Sequence, residues 1–284
     1  MDDEQGRGVD LIHTVVDLRA RLKGEQSVVL VPTMGNLHAG HLALVEEAKK
    51  HGQCIVASIF VNRLQFEPGG DFDRYPRTLA DDCAKLERAG CHVVFAPDEK
   101  ELYPEPQEIL VTPPKLAEDL CGDFRPGHFQ GVVTVVSKLF NIVAPHTAVF
   151  GRKDYQQLAV IKALVRQMNY PIAIVGVETK REPDGLAMSS RNGYLSSGER
   201  TEAVRLNKNL RRIKELVEGG SHDYEALCAF AIKDLTDAGW RVDYVAVRNR
   251  SGLAFPGPRD RELVVLGAAW LGKTRLIDNL EIGA

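Results

Sequence analysis

Apolar runs of strand length alternate with stretches of helical period over the first part of the chain. Val28–Val31 (VVLV), Cys54–Val61 (CIVASIFV), Cys91–Ala96, Ala148–Phe150 and Ile172–Val177 are short and almost continuously apolar, the pattern of strands buried on both faces. Between them apolar positions recur at helical spacing, through Leu11, Val15, Leu18 and Leu22 and then through Leu42, Leu44, Val45 and Ala48. Thr78 caps a further helix running to about Ala89, with Asp81 and Asp82 in its first turn, where carboxylates face the positive helix end. Another helix is expected over Tyr155–Met168. Gly131–Val143 (GVVTVVSKLFNIV) is nearly all apolar and fits a buried helix or a strand; its length and the Lys138–Asn141 stretch favour helix. Leu110 and Val111, closed by Pro113-Pro114, read as an edge strand.

The pattern changes after Val177. Glu182-Pro183-Asp184-Gly185 is a turn signal, followed by amphipathic helices over Ser197–Val217 and Asp223–Ala238. Strands near Val242–Val247, Leu263–Leu266 and Thr274–Ile277 close the chain. Strands alternating with helices imply parallel βαβ units. The expectation is therefore α/β: a doubly wound, Rossmann-like parallel sheet over residues 1–179, hinged to a smaller α+β C-terminal lid domain over 180–284.

Composition narrows the function. The 284 residues are 44% hydrophobic and 26% charged, ordinary for a globular protein, and the net charge of −3 offers no general attraction to nucleic acid or an anionic membrane. No apolar run approaches the ~20 residues that span a bilayer. The start, MDDEQGRGVD, is too acidic for a secretory signal. The five cysteines form no C-x-x-C pair, so reduced thiols in the cytoplasm are expected rather than disulfides or zinc.

The candidate chemistry centres on Val28–Val45, VVLVPTMGNLHAGHLALV. A strand runs into a turn at Pro32–Leu37, where Gly35 can take a backbone conformation other residues resist, and then into a helix start at Gly40-His41. Unpaired first-turn amides and the helix dipole make such a start an anion site. His38 and His41 are spaced so that both can face one ligand there. Neither a P-loop nor a G-x-G-x-x-G fingerprint is present. Phe60–Gln65 and Phe150–Asp154 also follow strands, at the sheet end where ligands of such folds bind.

These motifs together resemble the pantoate–β-alanine ligase family of the HxGH nucleotidyltransferases. The resemblance rests on PTMGNLHAGH (32–41), SIFVN-x-x-QF (58–66), YPRT (75–78), FRPGHFQGV (124–132), FG-x-KDYQQL (150–158), REPDGLAMSSRNGYL (181–195) and TRLIDN (274–279). It implies an AMP-forming ligation of pantoate to β-alanine through pantoyl adenylate, with ATP and Mg²⁺, in a homodimer. By the same resemblance Met34, Gly35, Asn36, Leu37, His38, Ala39, Gly40 and His41 form the ATP phosphate loop, with His41 assisting the leaving pyrophosphate. Gln65 and Gln157 would hydrogen-bond pantoate, Pro32, Met34 and Phe60 would wall its methyl groups, and Asn62 and Tyr75 would line the same site. Gly151, Arg152, Lys153 and Asp154 resemble a second nucleotide loop, with Lys153 on phosphate and Asp154 on the ribose. Lys180 falls near the adenine position, and Met188, Ser189, Ser190 and Arg191 resemble a flexible loop over the β- and γ-phosphates. Asp81 and Asp82 are open between a helix-cap role and holding Mg²⁺ through water.

Arg63, Arg152 and Lys180 depart from the family pattern, which usually has a proline, an acidic residue and an apolar residue there. Arg63 would loosen the loop carrying Gln65. Alternatives are another HxGH nucleotidyltransferase that stops at a nucleotidylated product, or a catalytically impaired nucleotide-binding relative.

Overall fold

A computed structural model describes residues 8–67 and 69–283; the acidic start read over residues 1–7, and Pro68 in the polar loop, lie outside the described residues. The chain divides into two compact units. Unit 1 holds the chain through Pro114, Arg125–Arg152 and Val160–Val177; unit 2 holds Lys115–Phe124, Lys153–Ala159 and everything from Glu178 onward.

The strands of unit 1 are β1 (Asp10–Ile12), β2 (Val28–Thr33), β3 (Cys54–Ile59), β4 (Val93–Phe95), β5 (Thr147–Gly151) and β6 (Ala173–Val177). They form one sheet in the order β1-β4-β3-β2-β5-β6, and every pairing is parallel. The helices in chain order are α1 (Val15–Leu22), α2 (Ala39–Ala48), α3 (Leu79–Arg88), α4 (Glu99–Leu102), α5 (Cys121–Phe124), α6 (His128–Val143) and α7 (Tyr155–Gln167), followed beyond β6 by α8 (Ser197–Glu202), α9 (Val204–Glu218) and α10 (Tyr224–Asp237). On one face of the sheet, Leu44, Val45 and Ala48 of α2 and Leu86 of α3 pack with Val29, Val31, Ile55, Ala57 and Val149 of the strands. α6 is buried almost all round, from Val132 to Phe140, which is why its sequence shows no polar face. The strand order reverses between β2 and β5, so a crevice opens at their carboxyl ends. Pro32 suits its place there. It lacks an N–H, and β2 pairs with β5 only at Val29 and Leu30.

Unit 2 contains the antiparallel sheet β7 (Arg241–Asn249), β8 (Leu263–Leu271) and β9 (Thr274–Ile282). Leu206, Leu210 and Ile213 of α9 and Leu235 of α10 share a core with Val245, Val265 and Ala269 of that sheet. Among the described residues no helix is long and apolar enough to cross a membrane.

Several local expectations are corrected. Leu11 does not open a helix: it lies in β1 opposite Val94, and the helix begins after Thr14, whose side chain accepts from Asp17 N at 3.1 Å. Leu110 and Val111 are not in a strand, because Val111 N donates to the Thr134 hydroxyl of α6 at 3.1 Å instead of to a neighbouring strand. The single helix expected over Ser197–Val217 is two, α8 and α9, and α8 starts at its own Ser196/Glu199 capping box. Thr78 gives no side-chain cap to α3; its hydroxyl donates to Asp82.

Candidate active site

In unit 1 the turn after β2 is built around Gly35, whose φ of +83° falls where a Cβ would be strained and would also lie 3.1 Å from both Asp82 Oδ2 and Ile59 Cγ2. Asn36 follows with φ +51°. Thr33 Oγ1 ties the turn to the sheet, donating to Ser58 O at 2.8 Å and accepting from Gly35 N at 3.2 Å. Asp82, fully buried on α3, clamps the turn from the other side. Its two carboxylate oxygens accept from Asn36 N and Leu37 N, each at 2.8 Å. Lys85 Nζ donates to Leu37 O at 2.9 Å and completes the clamp.

The two histidines meet at the start of α2 as a reciprocal capping box. His38 Nδ1 accepts from Gly40 N at 3.1 Å, and His41 Nδ1 accepts from His38 N at 3.3 Å. A backbone N–H can only donate, so both Nδ1 atoms carry lone pairs and the neutral rings hold their protons on Nε2. The ring centroids are 4.1 Å apart. The spacing that the sequence presents as a ligand motif is therefore also a cap, and the cap turns both rings into Nε2–H donors.

Gln65 ends a short 3₁₀ turn, Arg63–Gln65, that lies against α6. The approach is close: a Cβ on Gly131 would fall 2.3 Å from Leu64 O and 2.6 Å from Gln65 N. Gln65 O accepts from His128 Nδ1 at 2.9 Å and Arg125 Nη2 at 3.3 Å. Its side-chain amide accepts from Asn62 Nδ2 at 3.1 Å and donates to Met34 Sδ at 3.3 Å. Phe60 and Tyr75 are both buried, Tyr75 edge-on to Phe66. Arg63 Nε donates to Glu99 Oε1 at 2.9 Å in an exposed ion pair, and its guanidinium lies 4.0 Å from the centre of the Phe72 ring. Arg152, half-buried, follows Gly151 at the end of β5.

Unit 2 carries the remaining candidates. Asn279 Nδ2 donates to Lys153 O at 2.9 Å, and Lys153 Nζ stands 3.9 Å from Asp154 Oδ2. Gln156, next to the candidate Gln157, is buried and structural, donating to Leu116 O and Asp119 O and accepting from Cys121 N. Lys180 O accepts from Met188 N at 3.0 Å across a hairpin whose turn is closed by Gly185 N to Glu182 O. Arg181 pins this hairpin through a bidentate pair with Asp278, both contacts 2.8 Å, and Asn207 Nδ2 also donates to Asp278 at 2.8 Å. Ser189 Oγ accepts from Arg191 N, starting the 3₁₀ turn Ser190–Tyr194. Sequence reasoning missed Arg181, Asp278 and Asn279 as individuals, although each stands in a quoted motif.

The expectation that Asp82 helps to hold Mg²⁺ is corrected. It has no exposed surface, and its oxygens are engaged by backbone amides. Asp81 is exposed, and the described residues contain no group of three or more metal-ligating side chains. Asp82 is therefore a buried acceptor for the turn, and of the pair only Asp81 keeps an exposed carboxylate.

Comparison with known proteins agrees along the length of the chain. The family model for pantoate-beta-alanine ligase matches residues 10–281. A pantothenate synthetase of Thiobacillus denitrificans is 60% identical over 275 residues, covering 96% of this chain and 97% of the relative. One from Nitrosospira multiformis is 58% identical over 274 residues, covering 96% and 98%. The crystal structure of a pantothenate synthetase from Thermus thermophilus superposes with a TM-score of 0.92 at 43% identity, covering 97% of this chain and all of that one. A pantoate-beta-alanine ligase from Francisella tularensis, complexed with β-γ ATP and β-alanine, superposes with a TM-score of 0.81 at 31% identity over 96% and 97% of the two chains.

Proposed function

This chain belongs to the pantoate-beta-alanine ligase family and is an ATP-dependent ligase, and on that premise we propose that it joins pantoate to β-alanine through pantoyl adenylate. A carboxylate oxygen of pantoate attacks the α-phosphorus of ATP, and pyrophosphate leaves. The β-alanine amine then attacks the acyl carbon, and AMP leaves with pantothenate formed. No enzyme nucleophile is needed, so the protein acts by positioning and by stabilising charge.

The observation that carries this reading is the reciprocal histidine cap. It presents His38 and His41 as Nε2–H donors at a helix N-terminus, suited to phosphate oxygens that gain charge as the leaving bond breaks. Gln65 offers its amide N–H to an oxygen of pantoate, with Met34, Pro32 and Phe60 beside its methyl groups. In unit 2, Lys153, Ser189, Ser190 and Arg191 are assigned to phosphate, Asp154 to the ribose, Lys180 to the adenine end and Gln157 to pantoate, all on the family resemblance. Mg²⁺ accompanies the triphosphate in this reading. The homodimer rests on the resemblance as well, and the cytoplasmic location on five cysteines that form no C-x-x-C pair.

The test is release of AMP and pyrophosphate from ATP and Mg²⁺, with pantoate and β-alanine supplied singly and together. Pantothenate and AMP forming only with both substrates is the expected result. ATP binding without AMP release in any combination would replace this reading with that of an impaired relative.

A further inference from the structure

A chain of hydrogen bonds with a fixed direction runs from α6 to Gln65. It begins at Gly131 O, a backbone carbonyl that can only accept. Asn62, with 1% of its surface exposed, must therefore turn its NH₂ toward it, and does so at 3.1 Å. The other hydrogen of that NH₂ goes to Gln65 Oε1 at 3.1 Å, which leaves the Gln65 NH₂ as the outward end. Asn62 Oδ1 is then an acceptor in a buried site, and Tyr103 OH donates to it at 2.8 Å. Burial pushes the Tyr103 phenol well above its usual pKa range, so the hydroxyl keeps its proton at any pH the enzyme meets. The Tyr103 ring is seated separately, 5.9 Å from the centre of Phe60 and with Lys138 Nζ 4.8 Å above it.

We infer that Tyr103 is a positioning residue for the acid substrate: its hydroxyl holds Asn62, and Asn62 holds the Gln65 amide with its N–H donor, not its carbonyl, facing the substrate. Without that hydroxyl, Asn62 Oδ1 is a buried acceptor with no donor. Rotating the Asn62 amide brings no relief, since it would set Oδ1 against Gly131 O. The Asn62 side chain must shift, and the direction of Gln65 is lost with it. The selectivity this gives is for an oxygen acceptor on the substrate, such as a carboxylate or hydroxyl oxygen. The inference rests on the reading of Gln65 as a pantoate ligand.

The test compares Tyr103→Phe, Gln65→Ala and the double variant, with KM measured separately for pantoate and for ATP and a thermal melt on each. Tyr103→Phe keeps the ring and removes only the hydroxyl. The expected result is a pantoate KM raised about tenfold with little change in the ATP KM. Within Gln65→Ala, adding Tyr103→Phe should raise the pantoate KM no further, because the group it orients is gone. The inference is overturned if Tyr103→Phe leaves the pantoate KM unchanged where Gln65→Ala raises it, or if it raises both KM values equally in both backgrounds. If Gln65→Ala itself leaves pantoate binding intact, the assignment of Gln65 fails first, and that result is distinct from the other two.

Discussion

Replacing Asp82 by asparagine tests whether the phosphate loop is held in place by a buried carboxylate. Three donors converge on it: Asn36 N and Leu37 N at 2.8 Å and the Thr78 hydroxyl at 3.0 Å. Asparagine has nearly the same shape but puts an NH₂ where one acceptor stood, so at least one buried N–H faces a donor. A stranded buried donor costs about 1–3 kcal/mol, and the surviving bond loses the strength of a charged acceptor, so about 2–4 kcal/mol is expected in all. The loop in question carries both histidines, so much of that loss should appear at the nucleotide. Urea unfolding and the ATP KM are the two assays. A loss of stability in that range, with an ATP KM raised at least about tenfold, equivalent to about 1.4 kcal/mol, would support the clamp. Stability within about 0.5 kcal/mol of the parent together with an unchanged ATP KM would refute it, because that is how an ordinary surface carboxylate behaves.

Other perturbations have equally definite expectations. Gly131→Ala forces a methyl to within 2.3 Å of Leu64 O; overpacking of this kind costs about 1–3 kcal/mol, and the pantoate KM should rise more than the ATP KM as the Gln65 turn is displaced. Asp278→Ala leaves Arg181 of unit 2 without its carboxylate partner and should cost about 3–5 kcal/mol. Both tryptophans, Trp240 and Trp270, lie in that unit, so their fluorescence during unfolding reads the loss directly. Burial pushes the Cys91 thiol from 9.0 up to about 11, so the unfolded chain gives up this proton at lower pH than the folded one. Its contribution is complete below pH 9.0 and is lost as pH rises toward about 11, by about 1.4 kcal/mol per pH unit. Cys91→Ala should flatten the alkaline fall in stability measured over that window.

Where a pattern was set by one strong local constraint, the sequence was a good guide. The buried runs of β2, β3 and β5 announce a parallel sheet because a strand covered on both faces has no reason to alternate. α6 reads as a helix on its length and its Lys138–Asn141 stretch. Leu11 misled because its spacing to Val15 fits a helix, while the pairing that decides its state is with Val94, far along the chain. Val111 misled in the same way, since a hydroxyl of α6 takes the role of a neighbouring strand. At the site, His38, His41 and Gln65 stand out by spacing and motif. The groups that orient them do not, because a clamp such as Asp82 or a donor such as Tyr103 shows its role only through contacts distant in sequence. Asp82 is the sharper case: an acidic residue in the first turn of a helix looks like a dipole partner or a metal ligand until its burial and the two amides it accepts from are seen.

The reciprocal cap at the start of α2 also governs how its histidines meet reagents. An imidazole is acylated or alkylated through a nitrogen lone pair, and at His38 and His41 the Nδ1 lone pair is already engaged by a backbone amide. The nitrogen left is an N–H, which is no nucleophile. Diethyl pyrocarbonate should therefore modify the exposed His51 and His222 first. A covalent inhibitor aimed at the HxGH pair would have to unwind the first turn of the helix before either ring could react.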